Sequence, residues 1–171
     1  MTTTPVPARA APEPSRRLIQ SAIEYDAGVT ALIERAHRDL AIVDPDGLQL
    51  HLNSLARITA LEAFLRQSPT NEITIVLRRI EHVATECPRL IEVLRRVGVR
   101  MRIHSAIGDA ARTQDCFVIA DELHCVRRPV ATQARGVMIE HDAAEIALQR
   151  ERFGQILASS EVAVSATTLG L

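Results

Sequence analysis

The amino-acid sequence predicts an α/β domain: a mixed, mostly parallel sheet flanked by helices on both faces. Apolar residues recur at helical spacing in several stretches separated by short β-prone runs. One of those runs, Ile73 to Leu77 (ITIVL), is uninterrupted, as expected of a strand covered on both sides. Helices alternating with strands imply right-handed crossovers and parallel neighbours.

The first stretch, MTTTPVPARAAPEPSRR, carries no periodicity and holds Pro5, Pro7, Pro12 and Pro14. Residues 1–20 are therefore read as a disordered arm, and 21–171 as the domain. Asp26 is placed to cap a helix reaching Arg38, with Val29, Leu32, Ile33 and Ala36 on one face. Leu40 to Val43 is a short apolar strand, broken by Asp44-Pro45-Asp46-Gly47. Leu48, Leu52, Leu55, Ile58, Leu61 and Leu65 then keep helical spacing up to Gln67. After the ITIVL strand, Pro88 suits a helix's first turn and Gly98 its end. Val99, Met101 and Ile103 alternate with Arg100 and Arg102, the period of a half-buried strand. Cys116 to Ala120 and Leu123 to Val126 are read as a hairpin with a two-residue Asp121-Glu122 turn. Gly136 to Ile139 is the last expected strand. Asp142 and Glu145 have N-cap and N3 spacing ahead of a closing helix.

Composition narrows the function classes. With 20 cations against 21 carboxylates, the net charge is −1, unlike the strongly basic balance of a dedicated nucleic-acid binder. Aromatics make up 2%, which weakens stacking on single strands. Every cation is an arginine, so chemistry that needs a lysine ammonium is excluded within this chain. No apolar run approaches the roughly 18 residues of a membrane span. Cys87, Cys116 and Cys125 follow no metal-binding spacing; they read as core residues of a reduced, cytoplasmic protein.

The element order resembles one half of a phospholipase D-like fold over about Asp26 to Ser160. The segments that carry it are ALIERAHRDLAIVD, EITIVL, GVRMRIHS, the hairpin QDCFVIADELHCVRRP and the closing GVMIEHDAAEIALQRERFGQIL. The resemblance implies a phosphodiesterase site built on a His-x-Lys-x4-Asp strand. In that chemistry a histidine attacks phosphorus, a second histidine protonates the leaving oxygen, and lysines stabilise the phosphoryl charge. Here Asp121 occupies the aspartate position, Gln114 the histidine position and Cys116 the lysine position. An amide nitrogen has no free lone pair for attack. The apolar neighbours of Cys116 imply burial, which raises a thiol's pKa.

The expected function is thus a non-catalytic binding or interaction module, with a phosphate-containing small molecule as ligand. Gln114, Asp121, Arg127, Arg128 and His104 are the candidate contacts. No metal site and no cofactor are expected. A homodimer and an anionic small molecule are the partners this reading allows; nucleic acid is disfavoured. The alternatives are a phosphodiesterase or nuclease rebuilt on His104, His124 or Cys116, and a structural subunit of a larger complex. Two further patterns receive plain readings. Arg78, Arg79, Arg95, Arg96, Arg100 and Arg102 read as a solvated, ion-paired surface. A two-residue turn would put Cys116 and Cys125 on one face as diagonal neighbours, most simply as two core thiols.

Overall fold

The structure, a computed structural model, describes residues 12–164. In chain order its elements are β1 (Ser15–Ile19), α1 (Ala22–Arg35), β2 (Asp39–Asp44), α2 (Leu55–Gln67), β3 (Glu72–Leu77), α3 (Val83–Glu86) and α4 (Pro88–Val97). There follow β4 (Met101–Ala106), β5 (Cys116–Ala120), β6 (His124–Arg128), β7 (Gly136–Glu140), α5 (Ala143–Ala158) and β8 (Ser160–Val164). All strands join one sheet in the order β1-β7-β6-β5-β2-β3-β4-β8.

The sheet is mixed but not mostly parallel. Only the β2–β3 and β3–β4 pairs are parallel, and the other pairs are antiparallel. The reason lies in the connections. A parallel neighbour needs a crossover of a dozen or more residues, and only the segments through α2 and α3–α4 join sheet neighbours that way, those through α1 and α5 joining strands that are not adjacent. The β5–β6 link is a tight turn, so it must fold back antiparallel.

Helices cover both faces, as expected. One face carries α1, α2 and α4, with Leu32, Ile33, Leu61, Phe64 and Leu94 packed over Ile42, Ile75 and Val118. On the other, α5 alone lays Ile146, Phe153 and Ile156 over Val43, Val76, Phe117 and Ile139. The Phe117 and Phe153 rings meet edge to face at 6.5 Å. No helix among the described residues is long and apolar enough to cross a membrane.

The helical spacing read from Leu48 becomes helix only from Leu55, behind a Ser54 cap, and three further local expectations change. The arm assigned to residues 1–20 contributes β1, which pairs with β7 from Ser15↔Glu140 to Ile19↔Gly136. Only Ile19 of that strand is buried, so its order comes from ladder hydrogen bonds that no local pattern announces. Residues 1–11 of the arm lie outside the described residues. Helix α1 starts at Ala22 rather than after Asp26. Its cap is Ser21, whose hydroxyl accepts from the Glu24 N–H at 3.2 Å while the Glu24 carboxylate accepts from the Gln20 N–H at 2.9 Å. Finally, the β5–β6 turn has three residues, with Asp121 in the left-handed region at φ 54°. Cys125 therefore opposes Ile119, and Cys116 opposes Arg128. That one-residue slip moves Cys125 to the α5 face while Cys116 stays on the other, so the two thiols are not neighbours.

Candidate functional site

The two ends of β5 do different things. At its C-terminal end the Asp121 carboxylate accepts the backbone N–H groups of His37 (3.0 Å), Arg38 (2.8 Å) and Asp39 (3.1 Å). Its backbone carbonyl accepts from the Arg150 guanidinium, which also pairs with Asp39. Asp121 thus clasps the hairpin to the start of β2. Gln114 lies seven residues back along an extended chain, roughly 20 Å away. The Gln114 side chain is exposed, and the residue's backbone carbonyl accepts from the Ala131 N–H at 2.8 Å.

The N-terminal end of β5 meets the C-terminal ends of β2 and β3, where open α/β sheets collect ligands. Strand alternation splits the Arg127-Arg128 pair. Arg127 opposes Phe117, turns to the α5 face and sits 3.9 Å from Glu145. Arg128 turns to the other face. It is 6% exposed, and its guanidinium carbon lies 3.7 Å above the Tyr25 ring. Its only hydrogen bond among the described residues is a 3.4 Å contact from Nη1 to the Ala131 carbonyl. Its Nε finds no acceptor, and it pairs with no carboxylate among the described residues. Tyr25 is held beneath it by donating to the Cys116 carbonyl at 2.9 Å, and burial pushes the phenol well above its ordinary pKa. Gly136 makes room for this stack: a Cβ there would lie 2.7 Å from the Arg127 carbonyl and about 3.2 Å from the Tyr25 ring.

Arg128 and Tyr25 line a cleft of about 320 Å³ with Asp26, His51, Gln49 and Gln133 among its walls. The loop that forms one wall hangs on Asp44, which is fully buried at the end of β2. Its carboxylate accepts from the N–H groups of Asp46 (3.0 Å), Gly47 (2.8 Å) and Leu50 (2.7 Å), yet burial still raises its pKa. Asp44-Pro45-Asp46-Gly47 is therefore a capped turn. The following segment seats His51 at φ 51°, an uncommon conformation for a side chain of this size. The His51 Nδ1 lies 3.0 Å from Asp26 Oδ1. Asp26 in turn accepts at 2.6 Å from Arg57, which is 2% exposed and also donates to the Leu50 carbonyl and the Thr30 hydroxyl.

The remaining candidates lie elsewhere. His104 sits on the α5 face of β4, beside Ser160 at 3.4 Å, with burial lowering its pKa. His124 is at the Asp121 end, its ring 4.7 Å from His141. Cys116 is fully buried, and desolvation pushes its thiol well above the ordinary value despite the nearby Arg128 and Arg78. His104, His124 and Cys116 do not converge. Of the five candidate contacts, Arg128 alone lines the cleft. Asp26, His51 and Arg57 were missed as site residues because they come from two helices and a loop with no shared motif. Most arginines of the expected surface cluster are engaged: Arg79 with Asp46, Arg96 with Glu62, Arg102 with Glu72, and Arg100 with the Leu65 carbonyl.

The sheet order and strand-end cleft define a phospholipase D-like α/β fold, and solved structures agree. Nuc from Salmonella typhimurium, a phospholipase D family member, superposes with a TM-score of 0.65 at 14% identity, over 90% of this chain and 100% of Nuc. NucT from Helicobacter pylori gives 0.64 at 12% identity, over 88% of this chain and 100% of NucT. The archaeal chromatin protein TrmBL2, described for a novel mode of DNA binding, gives 0.64 at 10% identity. That match covers 86% of this chain but only 54% of TrmBL2. At such identities the likeness is one of fold. The chain itself belongs to the family described as Domain of unknown function (DUF7931), which matches residues 21–166. No curated protein matches it by sequence.

Proposed function

We propose that this chain is a phospholipase D-like module that binds a phosphate-containing ligand and does not perform phosphohistidine chemistry. One observation carries the reading: a buried guanidinium, Arg128, lines a cleft with no carboxylate at ion-pair distance among the described residues. A buried charge without a counter-charge is costly, and a bound anion would supply one. The planar guanidinium fork matches phosphate oxygens well.

The catalytic reading lacks its reagents. Counting back from Asp121, the nucleophile position is Gln114, an exposed amide, and the lysine position is Cys116, a buried and protonated thiol. The signature is degenerate in this reading, and the activity implied by the phospholipase D resemblance is not carried over. Nor is the DNA binding of TrmBL2, since the net charge is −1 and most of the clustered arginines are engaged in ion pairs or carbonyl contacts. A cytoplasmic setting belongs to the same proposal, supported by three free, buried cysteines.

Calorimetric titration of the full chain with inorganic phosphate tests this. Saturable binding is expected, weakened at least tenfold in Arg128→Met with the fold retained by circular dichroism. Turnover of bis(p-nitrophenyl) phosphate that disappears in Cys116→Ser would overturn the non-catalytic half of the reading.

A further inference from the structure

The lining of the cleft holds a second built feature, the series His51–Asp26–Arg57, whose first two members border the cleft. Arg57 is buried and fixed by three acceptors, and one of them is the same Asp26 oxygen that contacts His51. The imidazole is exposed, on a backbone held in the left-handed region. Such conformations persist where the surroundings over-determine them, and they gather at functional sites. A carboxylate can only accept, so His51 Nδ1 carries the hydrogen. Nδ1 is thereby committed to Asp26, and Nε2 is the ring nitrogen left for a ligand.

The rest of the wall suits the same chemistry. Gln49, Gln133 and Thr132 add amides and a hydroxyl, while Tyr25, the aromatic ring of the cleft, is buried under Arg128 and offers no face to a base. One buried cation, an imidazole with one ring nitrogen uncommitted, a carboxylate already paired with Arg57 and several neutral hydrogen-bonding groups describe a receptor for a phosphate that carries hydroxyl groups.

From this arrangement we infer that the cleft binds a sugar phosphate, with Arg128 taking the phosphate and His51 Nε2 hydrogen-bonding a ligand hydroxyl. The inference rests on the anion-binding reading of Arg128 and adds the ligand class and a specificity-determining residue. A group that reads a hydroxyl should discriminate about tenfold, the worth of one well-placed hydrogen bond.

The test is calorimetry on the full chain with inorganic phosphate, ethyl phosphate, ribose 5-phosphate and ribose. Ribose 5-phosphate is expected to bind about tenfold tighter than ethyl phosphate, and ribose alone not measurably. In His51→Asn, a residue that tolerates the left-handed backbone, the ratio of the two phosphate esters should fall to about one, at an unchanged melting temperature. A ratio of one in the natural chain, or a ratio that survives His51→Asn, would overturn this inference while Arg128-dependent phosphate binding still stood. Absence of any phosphate binding would instead bring down the anion-site reading, and this inference with it.

Discussion

The two ends of β5 use the same kinds of group to opposite effect. At the Asp121 end a carboxylate is satisfied by backbone N–H groups and the Arg150 guanidinium is matched to Asp39 and the Asp121 carbonyl. At the Arg128 end a buried cation keeps an empty valence beside an open cleft. Satisfied polar networks hold a structure together, and the proposed anion site rests on the one guanidinium of this comparison that lacks a carboxylate partner among the described residues. Asp121 has a structural task of its own, holding the hairpin to the start of β2.

Breaking the clasp should have the largest effect. Asp121→Ala removes an acceptor shared by three N–H groups and is expected to cost about 1–3 kcal/mol, discounted from a larger sum because the site is half-exposed. Urea unfolding measures it, and an unchanged midpoint would remove the structural half of the comparison. Gly136→Ala forces a Cβ to 2.7 Å from a backbone carbonyl and should cost about 1–3 kcal/mol while displacing Tyr25 and Arg128. Near-ultraviolet circular dichroism of the single tyrosine, read alongside the melting curve, reports that displacement.

Arg128→Met sharpens the comparison because its sign differs. Replacing an unpaired buried charge with an apolar chain of similar length should leave stability within about 1 kcal/mol or raise it. A loss of several kcal/mol would mean that the stack on Tyr25 is structural rather than a poised anion site.

The smallest effect is in pH. Burial lowers the folded-state pKa of His104 and His124 below the ordinary 6.5. Between those folded values and 6.5 the unfolded chain binds more protons, so stability is full above 6.5 and declines as pH falls through that window. A shallower slope in the His104→Gln/His124→Gln double variant checks the assignment. Over the same range the thiols should stay inert in the folded chain, since burial pushes Cys87 to about 11 and Cys125 to about 12.

Much of the fold was legible because it is local. The ITIVL run, Pro88 and Gly98 around α4, and the Asp142 cap, whose carboxylate accepts from Glu145 N–H at 3.0 Å, each act within a few residues of themselves. Ser21 and Glu24 carried an equally local signal for the start of α1, and Asp26 obscured it. The site was less legible. Arg128 stood out beside its hairpin, but its pairing state did not, because that depends on which carboxylates other elements bring near. His51, Asp26 and Arg57 are far apart in the chain and share no spacing.

By itself, then, the sequence determined the helical faces, the buried central strands and the Asp142 cap of the closing helix. These follow from periodicity and side-chain chemistry, which act over a turn or a strand. Only the tertiary structure decided the antiparallel majority of the sheet, the capture of β1 and β8 at its edges, and the turn length that separates Cys116 from Cys125. It also decided that Arg128 and His51 line one cleft. Those outcomes depend on register and on which distant segments share an edge, and a slip of one residue in a strand reverses them without changing any local preference.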